Sequence, residues 1–322
     1  MKSSLVSDSG LILTDREIPQ AAPNQVLVKV AAAALNRADL AVVSGGRHGS
    51  HGGPGTVPGM EWAGTVQAVG AEVPAIKVGD RVMCSGMGGY AEYAVTDWGR
   101  VMPIAPGMSF QDAVTMPVAI QTMHNALVTA GGLKHGESVL IQGASSGVGL
   151  MAMKIARLMG ARRVIGTSTH SGRRARLAEF GADAAIDTLQ ADWPEQVHKA
   201  NGGEGVDLVI DQLSGTYGTG NLQACKVLGR IVNVGRLAGR FAEFDFDLHA
   251  LKRISYIGVT FRTRSIQEVR DINEAAERDL GKAIAAGQLV LPIDRVFAFD
   301  DLAMAFEHMR TNQHFGKIVI AF

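Results

Sequence analysis

Two patterns of apolar and polar positions divide the chain. Up to about residue 110, short apolar runs rich in Val, Ala and Ile are broken by Gly, Pro and Asn, which predicts strands at 25–31, 61–69 and 80–83. Between the first two lies 44–55, Ser-Gly-Gly-Arg-His-Gly-Ser-His-Gly-Gly-Pro-Gly, which reads as a flexible loop. From about residue 112 strands alternate with helix-period segments, with strands predicted at 139–142, 163–167, 184–186, 206–211 and 230–234. Their spacing suits βαβ crossovers and hence an α/β fold with a doubly wound parallel sheet. After about residue 257 the pattern changes to a helix at 265–286, a strand at 295–299, a helix at 302–310 and a strand at 317–320. Since the alternating unit lies mid-chain, the β-rich beginning and the tail are expected to share a second domain.

The segment 139–174 carries the first chemistry. Apolar Val139, Leu140 and Ile141 lead into Gly143-Ala144-Ser145-Ser146-Gly147-Val148-Gly149, and a helix follows with Leu150, Met153, Ile155 and Ala156 on its apolar face. Glycine lets backbone approach a pyrophosphate closely, and the unpaired amides at the helix N-terminus stabilise its charge. A strand, glycine turn and helix in this order predict a dinucleotide site. Charge narrows the choice of nucleotide. From Ser138 to Ala178 there is no Asp or Glu, while Lys154, Arg157, Arg162, Arg163, Arg173, Arg174 and Arg176 are basic. An NAD site usually places an acid about 20 residues beyond the glycines to take the ribose hydroxyls. Here the second strand runs into Ser168-Thr169-His170-Ser171-Gly172-Arg173, whose hydroxyls and guanidinium suit a 2′-phosphate, so NADPH is expected.

Composition removes other classes. Lys plus Arg and Asp plus Glu both number 31, so there is no extended basic face and nucleic acid is not expected as the main partner. No apolar run approaches the length of a membrane span, and the N-terminus lacks a signal-like apolar core, so a cytoplasmic protein is expected. The two cysteines, Cys84 and Cys225, read as packed thiols rather than a disulfide framework.

The segments Ala34-Leu35-Asn36-Arg37-Ala38-Asp39-Leu40, Pro58-Gly59-Met60-Glu61-Trp62-Ala63-Gly64, Val78-Gly79-Asp80-Arg81-Val82, Gly89-Tyr90-Ala91-Glu92-Tyr93 and the Ser145–Gly149 turn follow one another as in medium-chain dehydrogenases/reductases. The whole chain resembles that superfamily, and within it the zinc-free quinone oxidoreductase branch related to zeta-crystallin. The resemblance implies a GroES-like catalytic domain from 1–115 and 258–322 and a Rossmann domain at 116–257. It also implies a homodimer. Where zinc relatives carry a cysteine and a histidine ligand, this chain has Asn36 and Met60. No metal is therefore expected, and His48 and His51 lack a third ligand. A short-chain dehydrogenase is disfavoured because no tyrosine is followed by lysine at the Tyr-x3-Lys spacing.

The resemblance further places Asn36 and Thr122 near the nicotinamide as catalytic residues. Ser145, Ser146, Gly147, Val148 and Gly149 are placed at the pyrophosphate, Ser168 and Arg173 at the 2′-phosphate, and Val234, Gly235 and Lys317 at other cofactor positions. Arg236 could reach a phosphate or simply be solvated. The implied activity is hydride transfer from NADPH to a quinone or an α,β-unsaturated carbonyl, resting on positioning rather than on one acid or base. The alternative is an NADPH-binding structural or regulatory protein with little turnover. Related quinone reductases often carry a tyrosine two residues past the aspartate matching Asp39; here that residue is Ala41, so the acceptor does not carry over.

Overall fold

The computed structural model describes residues 1–8, 10–49 and 51–322, with His48 described in its backbone alone. It divides into two compact units, one of Met1–Val118 with Phe261–Phe322 and the other of Ala119–Thr260.

The second unit is built on a six-stranded parallel sheet in the order Ala184–Ile186, Arg163–Thr167, Ser138–Ile141, Val206–Asp211, Cys225–Asn233 and Ser255–Gly258. All positions of Ser138–Ile141 and Val206–Asp211 are buried, because helices cover both faces of a parallel sheet and leave its central strands no wet side. These two strands are neighbours although crossovers leave them in opposite directions, so a crevice opens at their carboxyl ends. The strand expected at 230–234 begins earlier, at Cys225. Its first residue pairs with Val206, the register then shifts, and Leu228 has φ +63°, so a bulge separates it from the regular part.

The first unit holds a seven-stranded sheet whose path runs Ile293–Ala298, Lys317–Ala321, Gln25–Ala34, Glu61–Val69, Arg81–Ser85 and Val101–Pro103, with Tyr93–Asp97 also paired to Gln25–Ala34. Trp62, Leu35, Tyr90 and Phe306 are packed in its core, with the Tyr90 and Phe306 rings edge to face at 5.7 Å. The helix Ile266–Ala285 starts on a Ser265/Glu268 capping box and is tied to this unit by Arg270, which grips Asp97 with two hydrogen bonds of 2.9 and 2.7 Å.

One sequence expectation is corrected. The segment 44–55 is not simply a loop: Arg47–His48 and His51–Gly52 form a short antiparallel ladder that packs against the helix Arg37–Val43. Gly52 makes this possible, since a Cβ there would lie 2.3 Å from Gly46 O. Ser50 and the His48 side chain lie outside the described residues.

Candidate active site

In the second unit the predicted nucleotide residues gather at the sheet crevice. Ser146 caps the helix Gly147–Leu158, its Oγ accepting the Gly149 N–H at 3.1 Å and lying 2.9 Å from Gly143 O and 3.0 Å from Gln212 Oε1. The N–H groups of Gly147 and Val148, in the first turn, have no intrahelical acceptor and lie at the positive end of the helix dipole. Glycine is required at 149, where a Cβ would stand 2.6 Å from Gly143 O and 2.7 Å from Ala144 Cα. Ser168, at the end of Arg163–Thr167, links back to the turn through a 3.0 Å bond between its Oγ and that of Ser145. Arg173 sits in the short helix Ser171–Ala175, half-buried, and desolvation lowers its pKa. Its neighbour Arg174 is committed elsewhere, to Ser168 O at 2.8 Å and Asp187 at 3.0 Å.

Val234 and Gly235 follow the strand Cys225–Asn233. Both donate their N–H to Asp211 O, at 2.7 and 3.1 Å, so neither amide is left for a ligand. Thr122 is half-buried in the helix Pro117–His124. The two cysteines are free and buried, and burial pushes the Cys225 thiol up to about 12, so neither is a ready nucleophile.

In the first unit, register assembles a buried polar cluster. Ala33 pairs with Trp62 and Ala34 with Val319, so the end of Gln25–Ala34 lies between Glu61 on one neighbour and Lys317 on the other. Asn36 then caps the helix Arg37–Val43. Lys317 Nζ donates to Asn36 Oδ1 at 3.0 Å and to Glu61 Oε1, while Asn36 Nδ2 donates to Glu61 Oε1 at 2.9 Å. Glu61 Oε2 accepts the Val118 N–H at 2.9 Å. Opposite charges on its two sides decide which way the Asn36 amide points: its oxygen faces the ammonium and its nitrogen the carboxylate. One turn on, Asp39 Oδ2 accepts from Tyr90 Oη at 2.7 Å and from Asn36 N at 2.8 Å.

Asp39 is wholly buried, and burial, aided by the Glu61 charge, pushes its carboxyl up to about 7 despite the Tyr90 and Asn36 hydrogen bonds and the Lys317 charge. A carboxyl raised on folding binds its proton more tightly folded than unfolded. Its contribution is full below about pH 4 and is lost as pH rises through about 7. Asp39→Asn, which cannot ionise, is therefore expected to raise the thermal midpoint by several degrees at pH 8 and to leave it nearly unchanged at pH 4. Thermal melts of both proteins from pH 4 to 8 check this, and parallel curves would show that Asp39 is already ionised.

A family model described as an alcohol dehydrogenase GroES-like domain matches residues 22–106, and one described as a zinc-binding dehydrogenase matches 147–278. The quinone oxidoreductase of Homo sapiens is 32% identical over 299 residues, covering 92% of this chain and 88% of that one. The chain belongs to the medium-chain dehydrogenase/reductase superfamily. It is also 31% identical over 299 residues to a phenolphthiocerol/phthiocerol polyketide synthase of Mycobacterium tuberculosis, which covers 92% of this chain, and it spans 14% of that relative's length. The crystal structure of CurK enoyl reductase superposes with a TM-score of 0.86 at 27% identity, covering 99% of this chain and 98% of that one. The chain is thus a quinone oxidoreductase-like member of the superfamily, with a GroES-like unit and a Rossmann unit.

The superfamily includes zinc enzymes, and the residues here do not fit that ion. Asn36 and Glu61 already hold the Lys317 ammonium, which would repel Zn²⁺, and Met60 supplies only a thioether. Among the described residues no group of three His, Cys, Asp or Glu could hold a metal. Sequence reasoning leaves Glu61, Asp39 and Tyr90 out of the site. The signal for Glu61 is present in its place beside Met60, whereas Asp39 and Tyr90 are 51 residues apart and only the fold joins them.

Proposed function

We propose that this enzyme uses NADPH to reduce quinones or α,β-unsaturated carbonyls without zinc. The observation that carries the cofactor choice is the end of the strand Arg163–Thr167. Ser168 and Arg173 stand where an NAD-selective site needs an acid, and the acid nearest in sequence beyond the next strand, Asp187, is neutralised by Arg174. The turn and helix from Gly143 through Gly149 hold the pyrophosphate, and bound NADPH supplies the hydride. Asn36 and Thr122 are assigned to the nicotinamide end. The acceptor class draws support from likeness to quinone oxidoreductases and to an enoyl reductase, since both reactions begin from an already electrophilic carbon and need no metal to polarise an alcohol.

Arg173→Ala is expected to raise KM for NADPH by roughly 10–100-fold while changing that for NADH by less than about 3-fold, because only the former loses a charge-assisted phosphate contact. Steady-state assays with both cofactors against a quinone, a 2-alkenal and a simple alcohol test cofactor and acceptor together. Equal losses for the two cofactors would remove the phosphate assignment, and turnover confined to alcohols would overturn the reductase reading.

A further inference from the structure

We propose that the Lys317 ammonium supplies the positive charge that a metal ion supplies in zinc dehydrogenases, through the one N–H left uncommitted by Asn36 and Glu61. This rests on the reading that the acceptor reacts beside Asn36. When the acceptor takes a hydride and its electron pair at the β-carbon, the C=C pair moves toward the carbonyl carbon and the carbonyl pair collects on oxygen. The acceptor is reduced and the nicotinamide oxidised. Solvent then delivers a proton to the α-carbon, or to oxygen for a quinone. The charge on oxygen before that proton arrives needs a donor.

A donor inventory of the cluster leaves one candidate. Asn36 Nδ2 spends its hydrogens on Glu61 Oε1 and, at 3.4 Å, on Ala34 O. Its backbone N–H goes to Asp39, the Tyr90 hydroxyl goes to Asp39, and the Leu35 and Val118 amides go to Ile318 O and Glu61. Lys317 has three N–H groups and uses two within the cluster. Of the five side-chain-bearing members, Glu61, Asp39 and Tyr90 are fully buried, while Asn36 and Lys317 keep 9% and 5% exposure. Asn36 and Lys317 are therefore the members through which the cluster reaches solvent. Glu61 Oε1 accepts from the ammonium and holds it in place, which makes Glu61 a positioning residue. This role differs from binding a cofactor phosphate, where the ammonium would have to leave Glu61.

The wild-type enzyme tests the idea first. 4-Nitrophenol mimics the oxyanion, and its absorbance reports its ionisation; bound in the presence of NADP⁺, its pKa should fall by at least one unit relative to water. A bound pKa unchanged or raised, or no binding, overturns the proposal. The second test replaces both charges, Lys317→Met with Glu61→Gln, so that no lone charge is buried. The expected result is a fall in kcat of about 100-fold for an enone, less for a readily reduced quinone, with NADPH affinity by fluorescence within about 2-fold. Lost NADPH affinity with kcat intact would instead make Lys317 a cofactor ligand. If the wild type reduces neither acceptor while Arg173 still selects NADPH, it is the acceptor reading that has failed, and the nitrophenol titration still decides the role of Lys317.

Discussion

Glu61→Ala is expected to destabilise the first unit by about 3–5 kcal/mol, the range for removing one partner of a buried ion pair. The reason is what the truncation leaves behind. Lys317 would keep an ammonium at 5% exposure with only an amide oxygen for company, and the Asn36 Nδ2 and Val118 N–H would lose their acceptor. The double replacement of Lys317 by Met and Glu61 by Gln should lose far less, because exchanging both charges leaves none uncompensated. Urea unfolding followed by near-ultraviolet circular dichroism checks the order of the two variants. A double variant less stable than Glu61→Ala would mean that the pair contributes through attraction rather than through mutual neutralisation. Since the two units need not unfold together, the comparison is of the transition that Glu61→Ala moves.

Gly149→Ala should be strongly damaging to the nucleotide turn of the second unit. The added carbon would meet the Gly143 carbonyl oxygen at 2.6 Å and Ala144 Cα and O at 2.7 Å, all backbone atoms that no rotamer change can clear. The first turn of Gly147–Leu158 must then move away from the glycine turn, breaking the Ser146 cap on Gly149 N–H. Overpacking costs about 1–3 kcal/mol and a lost cap about 1 kcal/mol. Dinucleotide affinity is expected to drop on the order of 100-fold, a change worth about 2.7 kcal/mol, since the helix amides no longer converge with the turn. Gly218→Ala is the control: no foreign atom lies within 4 Å of where its Cβ would stand. Fluorescence titration of both variants with NADPH decides it, and similar affinities for the two would show that the turn tolerates displacement.

What can be read along the chain depends on burial. Strands 163–167 and 206–211 coincide with Arg163–Thr167 and Val206–Asp211, where apolar residues fill positions covered on both faces. Lys2–Ser7 and Ser255–Gly258 carry no readable pattern, for opposite physical reasons. The former buries two serines, which give no apolar signal, and the latter is a sheet-edge strand of four residues with none fully buried. The nucleotide turn is legible because its chemistry is local: cap, glycines and helix start lie within a few consecutive residues. The Asn36, Glu61 and Lys317 cluster is legible only as separate letters, since Glu61 and Lys317 are 256 residues apart and their meeting is set by strand register. Asn36 and Lys317 stand out individually, but what occupies their hydrogen bonds depends on neighbours that sequence spacing does not reveal.

The place of Lys317–Ala321 between Ile293–Ala298 and Gln25–Ala34 also fixes an order of events during synthesis. Residues 119–260 are continuous and can close their sheet while the ribosome is still at work. The first unit cannot, because the strand that links its two flanks is the last one made. At about 5–20 residues per second, the 256 residues separating Glu61 from Lys317 take on the order of 10–50 seconds to appear. Throughout that interval the Glu61 carboxylate has no ammonium to meet and cannot be buried charged at low cost. The buried cluster is therefore complete only once the chain has reached Lys317.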